Sequence, residues 1–124
     1  MGYRVAVVGA TGNVGREILN ILSEREFPAD EVSAVASSSS VGKEVSFGDT
    51  KILKVQSLEN FDFSGFDIGF FSPGAAVSAE HAPRAAASGC IVVDNTSHFR
   101  MDPEIPLVVP EVNRESLDGF RNHN

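Results

Sequence analysis

The sequence predicts an α/β fold, with a doubly wound, mostly parallel sheet covered by helices on both faces. Three observations predict this class. Short apolar, β-branched runs alternate with segments of helical periodicity along the 124 residues, the first run ends abruptly at a glycine-rich turn, and a later run ends at Ser72-Pro73-Gly74. Because strands that alternate with helices join through right-handed crossovers, one parallel sheet is the expected arrangement.

The first half of the chain predicts two buried strands with a helix between them, followed by a hairpin. The first strand is a β-branched run that ends at Gly9, as a strand buried on both faces would. Apolar residues at helical spacing follow it, and Pro28 ends that helical region. Two alternating segments around Gly48 indicate a hairpin or a short edge pair. These elements are strands 3–8 and 31–36, a helix carrying Val14, Ile18, Ile21 and Leu22, and hairpin segments 44–47 and 51–55.

The second half predicts another strand–helix–strand unit and a short final strand. The helix is rich in small residues, with Pro83 near its first turn or at a kink, and Gly89 ends it. Prolines bracket the final strand. The predicted elements are strands 67–71, 90–94 and 106–109 and a helix at 78–88.

Composition and charge exclude several classes of protein. Apolar residues make up 42% and charged residues 22%, which is ordinary globular usage, and no run approaches the roughly 18 apolar residues of a membrane span. The net charge of −7 argues against nucleic acid or an anionic membrane as a partner. The single cysteine, Cys90, excludes an internal disulfide framework and favours a reducing, cytoplasmic setting. Any bound phosphate must be held by local groups.

A glycine triplet lies in the first strand-to-helix turn, in the segment GATGNVG at 9–15. There a ligand phosphate would meet helix amides and the positive end of the helix dipole. Glycines let the chain turn tightly, let a pyrophosphate approach the backbone and let the helix pack on the strand. The spacing is G-x-x-G-x-x-G rather than G-x-G-x-x-G. Its place in a βαβ pattern favours a Rossmann-like NAD(P)-binding domain, with a merely structural turn as the alternative.

The end of the second predicted strand favours NADP over NAD. An NAD site usually places Asp or Glu there to accept from the ribose hydroxyls, whereas here Ala36 is followed by serines at 37–40 and then by Lys43. Hydroxyls, loop amides and a cation accept a 2′-phosphate that a carboxylate would repel. Asp30 and Glu31 lie at the wrong end of the strand for the ribose. The alternative is a solvated serine loop.

Four motifs in this chain, taken in order and spacing, resemble those of aspartate-semialdehyde dehydrogenase over nearly its whole length. They are GATGNVG at 9–15, FSPG at 71–74, VDNTSHFR at 93–100 and PLVVPEVN at 106–113. The last two are the most specific. The resemblance implies an oxidoreductase that reduces L-aspartyl-4-phosphate with NADPH to L-aspartate-4-semialdehyde and phosphate, a step that feeds lysine, diaminopimelate, threonine and methionine synthesis. It also implies an acyl-phosphate substrate, phosphate as a second small molecule and a homodimer of the full-length enzyme.

The resemblance assigns roles to single residues, which add to Gly9 of the glycine turn and to Ser37 and Lys43 of the serine loop. One departure concerns Ser39, where many relatives carry Arg, because it removes a bidentate phosphate partner. The implied roles place Thr11, Gly12, Asn13 and Val14 at the pyrophosphate, Ser39 and Ser40 at the 2′-phosphate, Ser72 and Gly74 near the cofactor, Asn95 beside its reacting end, and Arg100 at the substrate phosphate.

An independent argument supports Arg100. It follows a predicted parallel strand at the carboxyl edge, where open α/β sheets bind ligands, and its guanidinium is a planar fork matched to phosphate oxygens. The alternative is a surface ion pair. The three histidines, His81, His98 and His123, lack metal-ligand spacing, so we expect solvated or hydrogen-bonded side chains and no metal site.

The family's chemistry needs a cysteine thiolate that attacks the acyl phosphate and gives a thioester, which then receives hydride. No cysteine follows Asn113, and Cys90 begins a strand at the end opposite the ligand edge, where we expect a buried, inert thiol. We therefore expect residues 1–124 to form an N-terminal dinucleotide-binding domain that binds cofactor without catalysing, with the catalytic and dimerisation domain outside this chain. The alternatives are a non-catalytic dinucleotide-binding module or sensor, and N-acetyl-glutamyl-phosphate reductase, against which the two specific motifs speak.

Overall fold

Strands and helices alternate through the residues that the computed structural model describes, which are 2–49, 51–102 and 104–116. In chain order the elements are β1 (Tyr3–Val8), α1 (Asn13–Glu24), β2 (Ala29–Ala36), a 3₁₀ turn (Ser38–Ser40), β3 (Glu44–Phe47), β4 (Lys51–Lys54), β5 (Gln56–Ser57), β6 (Ile68–Phe71), α2 (Ala75–Ala87), β7 (Ile91–Asp94) and α3 (Pro110–Asn113). Within the described residues, no helix combines the length and the apolarity that a bilayer crossing requires.

Five strands form one sheet in the order β5-β2-β1-β6-β7, and every pair in it is parallel. The chain moves outward from β1 in both directions, which confirms the predicted doubly wound arrangement. The antiparallel pair β3–β4 forms a separate two-stranded sheet, which confirms the predicted hairpin. β5 was not anticipated from the sequence, because two residues are too few to show a strand pattern.

Both faces of the sheet are covered, which explains why β1 is apolar at successive positions. On one face, Val5 packs in a cluster with Leu19 of α1. On the other face, Val8 packs in a cluster with Ala85 of α2. All four side chains are fully buried, so α1 and α2 pack closely on opposite faces of the sheet.

A cluster of phenylalanines fills the space between the sheet and α2. Phe61, Phe63, Phe66 and Phe71 belong to it, and the ring centroids of Phe61 and Phe63 lie 4.9 Å apart. Phe70 does not belong to this cluster, because successive strand residues point to opposite faces and Phe70 packs on the α1 side.

The helix predicted at 78–88 begins earlier, at Ala75, and Pro83 lies well inside it rather than in the first turn. Alanine at 75 and 76 favours an early start. Pro83 has no N–H to donate within the helix, and it lies on the exposed side. The helix continues to Ala87 because Ala82 and Ala85 on its other side are buried against the sheet.

The strand predicted at 106–109 is wrong, because these residues have no regular structure and lead into α3. Two of their backbone groups hydrogen-bond to one side chain instead of to a neighbouring strand. Asn113 Oδ1 accepts from Val109 N at 2.7 Å, and Asn113 Nδ2 donates to Leu107 O at 2.6 Å. Proline at 106 also withholds a ladder donor, which disfavours a strand here.

Candidate functional site

The loops that carry the predicted site residues follow β1, β2, β6 and β7, and parallel pairing places all four loops at one edge of the sheet. Backbone hydrogen bonds join neighbouring loops and strand ends. They run from Gly9 N to Val35 O (2.8 Å), from Ser72 N to Val8 O (2.9 Å) and from Asn95 N to Phe71 O (2.8 Å). The edge is therefore continuous from the serine loop to the segment that carries Arg100.

Two positions of the glycine turn, Gly9 and Gly15, are packed too tightly to accommodate a side chain. Gly9 has φ +85°, and a Cβ there would lie 2.6 Å from Ser72 O, so the turn rests directly on the loop after β6. Gly15 is buried in the first turn of α1, where a Cβ would strike Gly9 O and lie 2.8 Å from Ala10 Cα. These two glycines bring the helix, the turn and the neighbouring loop together.

Gly12 lies on the outside of the same turn, and it is the N-cap of the twelve-residue helix α1. A Cβ at Gly12 would meet only Gly9 O, at 3.5 Å. No side chain caps this helix end, and its first turn contains no acidic residue. Asn13 and Val14 are exposed beside it, and Thr11 is half-buried. Because the first amides of a helix have no acceptor within the helix, this end suits an anion such as a pyrophosphate.

The serine loop begins where β2 ends and turns through the 3₁₀ segment. Ser37 and Ser39 are exposed, and their hydroxyls hydrogen-bond to each other, Oγ to Oγ, at 2.9 Å. Ser40 is only 8% exposed, so it is less available to a ligand than the other two. Lys43 is exposed and is tied to the loop by its amide, which donates to Ser40 O at 3.1 Å.

The two carboxylates of β2 lie at the start of the strand, at the end away from this loop. Asp30 and Glu31 occupy the start of the strand, where Arg4 pairs in register with Glu31. The Arg4 guanidinium forms an ion pair with Glu31, Nε to Oε1, at 3.1 Å. No carboxylate is thus placed by β2 to accept from a ribose at its carboxyl end.

The loop after β6 contributes Ser72 and Gly74, and α2 begins there. The Ser72 hydroxyl donates to Val8 O at 3.3 Å, beside the glycine turn. Gly74 has φ +100° and is the exposed N-cap of α2, with nothing within 4 Å of an added Cβ. This φ lies in the region that favours glycine.

The segment after β7 carries Asn95 and Arg100, both exposed. Arg100 Nη2 donates to Asn95 O at 3.1 Å, and the guanidinium carries further N–H donors at Nε and Nη1. His98 is exposed and packs edge-to-face on Phe99 with centroids 4.6 Å apart. Arg100 is thus oriented by the backbone of its own loop.

The histidines do not form a metal site in the part of the chain that the structure describes, where no three His, Cys, Asp or Glu side chains cluster suitably. His81 is hydrogen-bonded, as expected. Its Nδ1 accepts from Arg84 Nε at 3.0 Å, and its Nε2 lies 3.4 Å from Glu80 Oε2. The expectation for His123 lies outside the described residues.

Cys90 is fully buried and immediately precedes β7, at the end of the sheet opposite the site. Burial raises the pKa of its thiol to about 11, and the negative charge of Asp67 adds to the shift. A thiol with this pKa holds almost no thiolate near neutral pH. The prediction of a buried cysteine is confirmed, and the raised pKa supports the prediction that its thiol is inert.

The raised pKa predicts a loss of stability at high pH. The ordinary value is 9.0, so between roughly pH 9 and 11 the unfolded chain releases the Cys90 proton while the folded chain keeps it. The free energy of unfolding therefore falls as pH rises, by about 1 kcal/mol at pH 10 from this group. Urea denaturation at pH 8 and pH 10 measures the change. Cys90→Ala should flatten the pH slope by that amount, and an identical slope in both proteins contradicts the assignment.

One residue of this edge was missed by sequence reasoning. Asp94, the last residue of β7, accepts two hydrogen bonds through Oδ1, from Ser78 Oγ at 3.2 Å and from Thr96 N at 2.8 Å. The signal that could have found it is a polar residue, Ser78, on the buried side of a helix whose neighbouring buried positions are alanines.

Comparisons with known proteins agree on one family. Residues 4–120 match the model of the semialdehyde dehydrogenase, NAD binding domain. An aspartate-semialdehyde dehydrogenase of Rickettsia conorii is 55% identical over 98% of this chain and 36% of its own length. The crystal structure of aspartate semialdehyde dehydrogenase II from Vibrio cholerae superimposes with a TM-score of 0.94 at 52% identity, over 98% of this chain and 36% of that one. A Candida albicans aspartate semialdehyde dehydrogenase structure with NADP gives 0.75 at 30% identity, covering 95% and 36%. The chain thus spans about a third of the length of these relatives.

Proposed function

Since the chain belongs to the semialdehyde dehydrogenase family through its NAD binding domain, we propose that it is the cofactor-binding part of an aspartate-semialdehyde dehydrogenase. The observation that carries the proposal is the glycine turn, whose exposed Gly12 and uncapped helix end suit a dinucleotide pyrophosphate. Relatives more than 50% identical over 98% of this chain carry that enzyme's name. Their name favours it over N-acetyl-glutamyl-phosphate reductase, and no observation favours a sensor.

The cofactor in this proposal is NADP. Two features of the serine loop support it: β2 ends without a carboxylate, and the hydroxyls of Ser37 and Ser39 lie exposed in the loop to which the Lys43 amide is bonded. The Candida albicans relative, whose structure contains NADP, has the same fold over this region. When bound, the cofactor supplies hydride transfer. The residues of this chain would bind its phosphates and orient its reacting end.

The substrate side of the site rests on Arg100 and Asn95. In the proposed reaction an acyl phosphate is reduced and phosphate is released, so a guanidinium at the ligand edge suits the phosphate oxygens. Arg100 Nη2 donates to Asn95 O at 3.1 Å, and Nε and Nη1 are the further donors of its fork. Asn95 in turn is fixed by its amide, which donates to Phe71 O at 2.8 Å.

Replacing Arg100 with alanine is expected to raise KM for phosphate about tenfold or more in a complete enzyme that contains this domain, because a charge-assisted bidentate contact is lost. Steady-state kinetics of the phosphate-dependent oxidation direction measure the effect. Arg114→Ala, which removes an exposed arginine of the same chain from outside the loop, is the matched control. Unchanged kinetics in the Arg100 variant remove this residue from the site.

The chain by itself is expected to bind cofactor without catalysing. Its single cysteine, Cys90, is buried at the wrong end of the sheet with a raised pKa, so it supplies no nucleophile for an acyl phosphate. An assay of NADP reduction with aspartate semialdehyde and phosphate tests this directly. Turnover by the 124-residue chain alone would overturn the proposal that the nucleophile is supplied from elsewhere.

A further inference from the structure

We propose that Asp94 is a positioning residue, which holds Asn95 and Arg100 in place by tying their loop to helix α2. The proposal rests on the proposed function, in which Asn95 lies beside the cofactor's reacting end. Asp94 is the last residue of β7, in register with Phe71, the last residue of β6. Its side chain therefore stands at the carboxyl edge, between the two strands whose loops carry the site and the helix that packs beneath them.

The carboxylate joins two elements that are far apart in the sequence. Its Oδ1 accepts from Ser78 Oγ at 3.2 Å and from Thr96 N at 2.8 Å. Ser78 is fully buried on the side of α2 that also buries Ala82 and Ala85. A hydroxyl buried among alanines is unfavourable unless it finds a partner, and Asp94 is the partner of this one.

The hydrogen bond from Thr96 N to Asp94 Oδ1 closes a turn around Asn95, and it therefore restrains the Asn95 backbone. The Asn95 amide donates to Phe71 O at 2.8 Å, and its carbonyl accepts from Arg100 Nη2 at 3.1 Å. A continuous series of hydrogen bonds thus runs from Ser78 through Asp94 and the Asn95 backbone to the guanidinium of Arg100. Releasing Asp94 would let both Asn95 and Arg100 reorient.

Stabilisation of the fold alone does not explain this carboxylate well. Its second oxygen, Oδ2, is buried without a hydrogen-bond partner among the described residues, and so is Oγ1 of Thr96, two residues along the chain. A buried acceptor without a partner reduces stability, which offsets part of what the two hydrogen bonds of Oδ1 contribute to the fold. The two hydrogen bonds of Oδ1 instead order the loop that carries Asn95 and Arg100, which is the role we assign to Asp94.

The test compares two ligands that share the adenosine half of the cofactor. Adenosine 2′,5′-bisphosphate lacks the nicotinamide, so its binding reports on the serine loop and not on Asn95. Asp94→Ala is expected to weaken NADPH binding about fivefold to tenfold, through the lost orientation of Asn95, and to leave the bisphosphate affinity unchanged. Calorimetric titration of the 124-residue chain measures both affinities.

Two variants separate positioning from a general loss of structure. Asp94→Asn keeps an oxygen that accepts from Ser78 and Thr96, so NADPH affinity should return to within about twofold of the unmodified chain. Hydrogen exchange of the Thr96 amide should be fast in Asp94→Ala and slow in Asp94→Asn. Asp102→Asn is the matched control, because Asp102 accepts from Glu104 N at 3.0 Å in a similar turn outside the series.

Each outcome of the two titrations either supports or overturns the positioning role of Asp94. Equal NADPH affinity in the unmodified chain and in Asp94→Ala overturns the positioning role and leaves the proposed function intact. An equal loss of NADPH and bisphosphate affinity shows a structural role only, which also overturns it. Failure of the unmodified chain to bind NADPH overturns the proposed function and the inference with it. If Asp94→Ala does not fold, Ser78→Ala decides in the same two titrations, with a smaller loss expected for NADPH alone.

Discussion

Gly15→Ala is expected to destabilise the chain by about 2–3 kcal/mol and to abolish cofactor binding, because the added methyl group has no room. A Cβ at this position would strike Gly9 O and lie 2.8 Å from Ala10 Cα, both backbone atoms of the glycine turn. Neither can move without displacing the turn, which itself rests on Ser72 through Gly9. Urea denaturation and NADPH titration measure the two effects.

The expected loss of stability in Gly15→Ala is opposite in sign to the usual effect of this substitution in a helix. Glycine to alanine in a helix ordinarily stabilises by about 0.5–1 kcal/mol, so a loss of stability isolates the close approach of helix and turn. Gly12→Ala is the matched control, because its Cβ would meet only Gly9 O at 3.5 Å. It should change stability by less than about 1 kcal/mol and still weaken NADPH binding. A stabilised Gly15→Ala protein would contradict the packing described for this turn.

Reversing the charge of Lys43 is expected to weaken NADPH binding about tenfold or more and to change NADH binding by less than about twofold. The reason is that only NADPH carries the 2′-phosphate, which Lys43→Glu would repel. Lys43 is exposed and its amide is tied to the serine loop through Ser40 O. Because exposed charges are screened, the difference between the cofactors should shrink as salt is added.

Lys51→Glu makes the same charge change at the start of β4, outside the serine loop, and it controls for the net charge of the chain. It should leave both affinities nearly unchanged. Equal losses for NADPH and NADH in the Lys43 variant would mean that the side chain does not distinguish the cofactors. The serine loop would then be a solvated turn rather than a phosphate site.

The sheet was predictable because its main strands are short apolar runs that end at turn residues. Residues 5–8 form a continuous apolar run because both faces of β1 are covered there, and Gly9 ends the run where the turn needs φ +85°. Parallel pairing then brings the loop residues to one edge without further information. The 106–109 segment was misleading because its apolar residues also suggest a strand, yet Val109 N and Leu107 O hydrogen-bond to the Asn113 side chain.

The finer features of the site depend on packing that a single sequence does not reveal. Four successive serines look equivalent, but Ser40 is buried while Ser37 and Ser39 are exposed. The pairing of Ser78 with Asp94 joins residues from α2 and β7, and only the crossover geometry brings them within 3.2 Å. Such contacts depend on three-dimensional neighbours, whereas strand and turn signals are local.

The measurement that tests the account most directly is calorimetric titration of the 124-residue chain with NADPH and, separately, with NADH. The glycine turn predicts saturable binding at one site per chain, and the serine loop with Lys43 predicts a dissociation constant at least about tenfold lower for NADPH than for NADH. Absence of binding for both would contradict the dinucleotide site, and tighter binding of NADH would contradict the role of the serine loop.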